Sequence, residues 1–292
     1  MKHPLTHSAV SLAMALSFVV PPAAAQQQPT EPETPPEAQQ EEGQAVSQAQ
    51  GGQTPDCGSL PDHERLTSVL REVVAPNDPS VNGGLGNHMW AVVVNRQGFV
   101  CVVTHSGEEF GEQWPGSRAI AASKAYTANA FSLPAFALST ANLYWPTQPG
   151  GPLFGLEAST SASSVVHEGS AEDWGTERDP LVGQRVGGVT VFAGGLALYA
   201  SEGELVGALG LSGDEACTDH VIAWKMRDAL ESDHVPDGVT DAHNDNIIHD
   251  LTVDPGTGRQ TSPSGYGHPT CSPTAEGIVE DFEETHPTDG AP

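Results

Sequence analysis

Two pairs of apolar runs, each pair joined by a short polar turn, constrain the fold of this chain more than any other feature. The first pair covers residues 89–94 and 99–104, and the second covers residues 196–199 and 205–211. Runs of β-branched and apolar residues on both sides of a turn sequence predict β-hairpins. The run at residues 189–192 is a candidate for one further strand.

Three segments with helical periodicity accompany these hairpins. They are residues 59–74, 117–131 and 217–230, and each places apolar side chains on one face at a spacing of three or four. The order helix, hairpin, helix, hairpin, helix predicts an α/β fold of the α+β type. In such a fold, one mostly antiparallel sheet is flanked by helices.

The helix predicted at residues 117–131 carries a lysine within its apolar stripe. Ser117 supplies a hydroxyl that is expected to cap its first turn. At about 100° per residue, Ile120, Lys124 and Thr127 fall on one line with Phe131. We expect the stem of Lys124 to lie along the core and its ammonium to reach the edge, where it could also meet a charged ligand.

Both ends of the chain have compositions that do not favour a packed core. Residues 1–25 resemble a signal peptide, with Lys2 before an apolar run and small residues at its end. Residues 26–56 are rich in Pro, Gln and Glu and predict a disordered linker. Residues 276–292 predict an acidic disordered tail. The mature protein is expected to be secreted or periplasmic.

Residues 57–275 then form one predicted domain. Within it, residues 133–187 contain few periodic runs and predict a long loop insertion. Residues 232–275 form a C-terminal extension beyond the last predicted helix.

Four cysteines lie within this domain, and an even number in an oxidising compartment favours two disulfides. Three connectivities are possible. We prefer a bridge from Cys57 to Cys271, which would clasp the ends of the domain, and a second from Cys101 to Cys217.

The charge balance excludes some partners. The chain has 11 Lys and Arg against 38 Asp and Glu, a formal net charge of −27 at pH 7. Binding to phosphate groups requires a basic face, so nucleic acid and anionic membrane surfaces are not expected partners. No segment after the signal peptide is long and apolar enough to predict a membrane span.

Four sequence signals, in one order along the chain, resemble the GlcG/HbpS-like haem-binding family. They are a turn at 95–98, a Lys-Ala-Tyr-Thr-Ala segment at 124–128, Gly-Gly at 194–195, and a strand at 206–213 followed by Asp219. The resemblance implies a profilin-like domain with a five-stranded antiparallel sheet, haem binding and assembly into homo-oligomers. Thr190 replaces the proline that this family usually has.

A haem site needs an axial ligand, an apolar slot and cations for the two propionates. His105 is the preferred axial ligand because it ends a strand near the start of the 117–131 helix. The other axial candidates are His88, His167, His220 and Tyr126. The predicted haem-binding residues are His105, Trp114, Arg118, Lys124, Tyr126, Thr127 and Phe131.

A second candidate site lies at residues 241–254, where His243, Asp245, His249 and Asp250 are close in sequence. These side chains could bind a metal, but their spacing does not match an EF-hand. A turn-rich segment in which Asn and Asp side chains bind their own backbone is the favoured interpretation.

The sequence favours a secreted haem-binding protein, with a sensing or scavenging role open. One alternative is an exported structural protein whose helix face forms an interface between subunits of an oligomer. Another is an enzyme or accessory protein acting on a small hydroxy acid such as glycolate. No GxSxG motif is present, and cysteines in disulfides leave no thiol nucleophile, so no catalytic residue is predicted.

Overall fold

An antiparallel sheet of four strands forms the centre of the fold. The structure, a computed structural model, describes residues 56–74 and 78–290. The strands lie in the order β2-β1-β4-β3. They are β1 (Trp90–Asn95), β2 (Val100–His105), β3 (Gly195–Ala200) and β4 (Glu204–Ser212). A separate two-stranded sheet joins β5 (Thr252–Val253) to β6 (Gln260–Thr261).

Helices lie on both faces of the central sheet. The helices are α1 (His63–Val74), α2 (Pro79–Asn82), α3 (Ser117–Phe131), α4 (Tyr144–Thr147), α5 (Leu156–Ser159), α6 (Ala216–Ala229), α7 (Pro273–Glu280) and α8 (Phe282–Thr285). Helices α1 and α6 pack on one face, and α3 packs on the other. The mixed α/β architecture predicted from the sequence is therefore confirmed.

Both predicted hairpins are present, and local hydrogen bonds fix the first one. The Asn95 side chain accepts hydrogen bonds from the amides of Gln97 and Phe99. Gly98 has a φ of 80°, a conformation that glycine adopts without strain. This turn sets the register in which Trp90 of β1 lies opposite His105 of β2.

The sheet has four strands rather than the five that the family resemblance implied. The candidate strand at residues 189–192 joins no ladder because side chains take its backbone groups. The amide of Thr190 donates to Thr127 Oγ1, and the carbonyl of Phe192 accepts from Thr140 Oγ1. This segment is therefore held against α3 rather than within the sheet.

Helix α3 confirms the predicted helix, but it is rotated from the predicted orientation. Ile120 is 41% exposed, whereas Ala121 and Ala125 are fully buried. A Cβ at Gly210 of β4 would collide with the backbone of Ala121 and Ala125, so only small residues permit this close packing. The predicted Ser117 cap is wrong because Ser117 makes no capping side-chain bond.

The disulfides join Cys57 to Cys101 and Cys217 to Cys271, with Cα atoms 5.9 Å apart in each bridge. The predicted connectivity was therefore wrong. Cys57 precedes α1, which packs on β2 and so meets Cys101. Cys271 precedes α7, which packs on α6 where Cys217 lies in the first turn. Each bridge thus joins neighbouring elements rather than the two ends of the domain.

A peptide map under non-reducing conditions tests this connectivity. Cleavage after Lys and Arg places the four cysteines on four different peptides. We expect the Cys57 peptide to remain joined to the Cys101 peptide, and the Cys217 peptide to the Cys271 peptide. Mass spectrometry before and after reduction gives the answer. A Cys57–Cys271 linked peptide would contradict the structure.

The tail predicted to be disordered at residues 276–292 contains helices α7 and α8 over its described part. Phe282 is fully buried and stacks on Trp224 of α6, with ring centroids 5.3 Å apart. Val279 lies one turn earlier and is also buried. The prediction of disorder was wrong because these two apolar residues, three apart among the acids, anchor the helices on α6.

Several segment predictions lie partly or wholly outside the described residues. The signal peptide at 1–25 and nearly all of the linker at 26–56 are among them. Within 56–74 and 78–290, no helix combines the length and apolar character that crossing a bilayer requires. Residues 133–187 contain short helices and turns, and their Asp179 is tied to Arg118 of α3.

Candidate functional site

Two adjoining clefts lie between α1, β2 and the segment around Gly175. They share His63, Thr176 and Glu177 and measure about 480 and 460 Å³. We call the pair the α1–β2 groove. One half is the more apolar. Its lining includes Leu60, Pro61, Val102, Val103, Val182 and the Cys57–Cys101 bridge, together with the acids Asp62 and Glu177. The other half carries His63, Thr67, Arg71, Thr104, His105, Glu108 and Arg178.

His105 ends β2 and lies at the base of the polar half. Its side chain is held with Nδ1 3.0 Å from the carbonyl oxygen of Gly107. A carbonyl only accepts hydrogen bonds, so Nδ1 carries the proton and Nε2 keeps its lone pair. The Trp90 ring packs edge-on against the imidazole, with centroids 5.0 Å apart. The tautomer and the ring orientation of His105 are therefore both fixed.

The environment of His105 also favours its neutral form. The residue is 9% exposed, and burial is the main cause that lowers its pKa below the ordinary value. The nearby Arg71 lowers the pKa further, while the Gly107 carbonyl opposes the shift. A neutral imidazole with a free Nε2 is the form that binds a metal ion.

Gly175 brings a second histidine to the same place. His63 Nε2 lies 2.9 Å from the Gly175 carbonyl oxygen, so this nitrogen donates and Nδ1 keeps the lone pair. Gly175 has a φ of 76°, and a Cβ there would collide with the His105 ring. Only glycine therefore permits His63 and His105 to lie on either side of this loop.

Two arginines supply positive charge to the polar half. Arg71 donates to the Gly107 carbonyl at 3.2 Å and lies 3.8 Å from Glu108. Arg178 pairs with Asp173 at 2.7 Å, and its side chain is largely exposed. Both guanidinium groups keep donors free for an anionic group of a ligand.

Sequence reasoning missed His63, Arg71 and Arg178. A signal for the first two existed, because His63, Thr67 and Arg71 repeat at a spacing of four along α1. That spacing forms a polar stripe beside the buried apolar face of the helix. Arg178 offered no comparable signal, because it reaches the groove through the long 133–187 segment.

Arg118 and Lys124, the predicted cations, are not free to meet a ligand. Arg118 is buried and forms two hydrogen bonds to Asp179, at 2.9 and 2.5 Å. Lys124 is 1% exposed and donates to Asp219 at 2.6 Å and to the Leu211 carbonyl at 3.0 Å. The expectation that the Lys124 ammonium reaches the edge was wrong, because a buried carboxylate pairs with it.

The remaining predicted residues also lie outside the groove. Trp114 is 56% exposed, and Phe131 is half-buried at the end of α3. Tyr126 packs against the turn at Gly98. Thr127 donates to the Ser123 carbonyl. Of the seven predicted haem-binding residues, the structure brings only His105 to the groove.

The other axial candidates are dispersed. His88 Nδ1 lies 3.1 Å from Ser106 Oγ, and His167 is exposed. His220 is fully buried and binds Asn246 through Nε2. None of these three histidines lines the α1–β2 groove.

The candidate metal ligands at residues 241–254 do not converge. Asp245 is buried in a two-bonded ion pair with Arg227, at 2.8 and 3.0 Å. Asp250 accepts hydrogen bonds from Ser262 and from the Ser264 amide. The segment therefore uses its acids to hold local structure, as the favoured interpretation expected.

The fold and the groove define a mixed α/β protein with an amphipathic cleft at the edge of its sheet. Residues 83–227 match the model of the family described as "Haem degrading protein HbpS-like". This match confirms the resemblance to the HbpS-like family that was stated from the sequence. His105 and Arg178 lie within the matched segment, whereas His63 and Arg71 precede it.

Solved structures similar to this chain have low identity. The PduOC–haem complex is 24% identical, with a TM-score of 0.39, and the match covers 57% of this chain and 90% of that one. Protein ORFY of Klebsiella pneumoniae is 16% identical, with a TM-score of 0.39 and coverage of 62% and 99%. A double mutant of HbpS from Streptomyces reticuli is 19% identical, with a TM-score of 0.35 and coverage of 61% and 96%. No curated protein matches the chain.

Proposed function

We propose that this protein binds haem, or a similar planar tetrapyrrole, in the α1–β2 groove. The family whose model matches residues 83–227 is described by haem chemistry. The observation that carries the proposal is the fixed, neutral imidazole of His105, whose Nε2 has a free lone pair in the polar half of the groove, next to the more apolar half. Each half of the groove falls within the size range of roughly 300–1,000 Å³ that is usual for ligand pockets.

The residues of the groove match the parts of a haem. His105 would bind the iron through Nε2, and His63 is the second candidate through Nδ1. Val102, Val103 and the neighbouring disulfide would contact the porphyrin face. Bound haem would supply a redox-active iron at this position.

The haem propionates need cations. The groove supplies them, whereas the predicted cations Arg118 and Lys124 lie elsewhere. Arg71 and Arg178 lie at the polar half and retain free donors. Guanidinium groups bind carboxylates with two parallel hydrogen bonds, which suits a propionate. Arg118 and Lys124 instead stabilise the fold through Asp179 and Asp219.

The proposed setting for this binding is outside the cytoplasm. The signal-like residues 1–25 and the two disulfides support export to an oxidising compartment. In that setting the protein would collect or sense free haem.

A hemin titration followed by the Soret band tests the proposal. We expect His105→Ala to shift the band and to weaken binding by at least tenfold, because the axial nitrogen is lost. Arg71→Ala and Arg178→Ala should each weaken binding by up to about tenfold without moving the band, because exposed charge-assisted bonds contribute about 1 kcal/mol.

His167→Ala is the matched control, because His167 is exposed and lies outside the groove. It should bind hemin as the unaltered protein does. An unchanged band and affinity in both His105→Ala and His63→Ala would remove the groove from consideration. Failure of the unaltered protein to bind hemin at micromolar concentration would favour a structural role instead.

A further inference from the structure

The C-terminal segment meets the edge of the sheet beside β3. After α6 the chain pairs with that edge, because the Tyr199 amide donates to the Ser232 carbonyl and the His234 amide donates to the Tyr199 carbonyl. A parallel bridge joins Tyr199 to Asp233. The last described residues return to the same place, with Asp289 lying beside Asp233 and His234.

Three potential metal ligands converge at this junction. A ring nitrogen of His234 and one carboxylate oxygen each from Asp233 and Asp289 all lie within 4.8 Å of one another. Asp233 is buried, His234 is half-buried and Asp289 is exposed. The set therefore has a fixed inner ligand and an outer ligand that can move.

Asp233 differs from the surface acids of this protein because it is buried. The residue is only 6% exposed, and no other residue of the described chain donates a hydrogen bond to its carboxylate. Because so little water reaches this carboxylate, a cation bound there would be its main partner.

Nearby charge favours a cation as well. The carboxylates of Asp289 and Asp228 act on Asp233. The guanidinium of Arg227 also acts on it, but that group is already paired with Asp245. The junction therefore carries uncompensated negative charge.

We propose that Asp233, His234 and Asp289 bind a divalent transition metal ion of the zinc type. An imidazole combined with two carboxylates suits Zn²⁺ better than Mg²⁺ or Ca²⁺, which prefer oxygen ligands alone. Bonds of about 2.0–2.2 Å place tetrahedral ligands about 3.3–3.6 Å apart. The three ligand atoms now lie within 4.8 Å of one another, and movement of the exposed Asp289 side chain can bring them to the shorter separation. Water would complete the coordination.

This site is independent of haem binding and would have a different consequence. Its ligands follow the segment matched by the family, which ends at residue 227. Metal binding would hold residues 286–290, which follow α8, against the outer edge of β3. The segment at residues 286–290 would then exchange its amide hydrogens more slowly in the presence of metal.

The experiment uses the tag-free protein after treatment with a chelator. Co²⁺ serves as a spectroscopic probe, and Zn²⁺ binding is measured by calorimetry. We expect one ion per chain, visible absorption bands of Co²⁺ that Zn²⁺ displaces, and slower exchange at residues 286–290. Asp289→Asn and His234→Gln should each weaken binding at least tenfold.

Asp289 and His234 are not buried, so these two variants keep the test independent of the folding effects of altering Asp233. Glu284→Gln is the matched control, because Glu284 is an exposed acid of α8 outside the site. It should bind metal as before. Absence of Co²⁺ bands, or equal binding by Asp289→Asn and the unaltered protein, would overturn the proposal.

Discussion

Replacing Lys124 by Met should lower the free energy of unfolding by about 3–5 kcal/mol, the usual cost of removing one partner of a buried ion pair. Lys124 Nζ lies 2.6 Å from Asp219 Oδ2, and both side chains are buried. The substitution leaves the Asp219 carboxylate without its cation. Urea unfolding followed by circular dichroism measures the change.

The double variant Lys124→Met with Asp219→Asn is the matched control. The side-chain amide introduced at position 219 would carry no charge, and its oxygen would still accept the hydrogen bond that the Asp214 amide now gives to Asp219. We expect at least half of the lost stability to return. Hemin affinity should stay unchanged in the double variant, because Lys124 lies outside the groove. Unaltered stability in Lys124→Met would show that the pair contributes nothing.

Lowering the pH from 7 to 5 should cost a net 2–3 kcal/mol of stability, roughly, through three buried groups. Burial lowers the pKa of both His220 and His268 to about 3. The unfolded chain binds protons at these histidines near pH 6.5, whereas the folded chain does not, so stability falls as the pH drops from there towards 3. Burial raises the pKa of Asp219 to about 6, and its proton uptake in the folded state offsets part of the loss.

Urea unfolding at a series of pH values checks this expectation. His220→Gln should reduce the slope of stability against pH by nearly one proton, because one buried histidine no longer titrates. The glutamine amide can still donate to Asn246, as His220 Nε2 does at 3.2 Å. His167→Gln, at an exposed position, should leave the slope unchanged. A flat profile between pH 7 and 5 would contradict the neutral, buried state of these histidines.

The elements that sequence reasoning located are those defined by local pattern. Each predicted hairpin lies within one or two residues of its structural counterpart, since the turn and the apolar runs are adjacent in sequence. Helix α3 likewise begins and ends where its periodicity indicates. Local hydrogen bonds, such as those of Asn95, determine these features without help from distant residues.

The features that sequence reasoning missed depend on distant partners. Arg118 pairs with a residue 61 positions away, and Lys124 with one 95 positions away. Nothing in the sequence around Asp179 or Asp219 identifies the basic residue with which it pairs. The groove combines α1, β2 and the Gly175 loop for the same reason, so His105 was found by its place at a strand end and His63 was not.

The disulfides pair the cysteines in the order in which they occur along the chain, the first with the second and the third with the fourth. In the export that we propose, the N-terminus enters the oxidising compartment first, so Cys57 and Cys101 arrive before the later pair. Oxidation in order of emergence therefore produces the native bridges directly. The protein should mature without help from a disulfide isomerase, and an oxidase that joins consecutive cysteines should suffice.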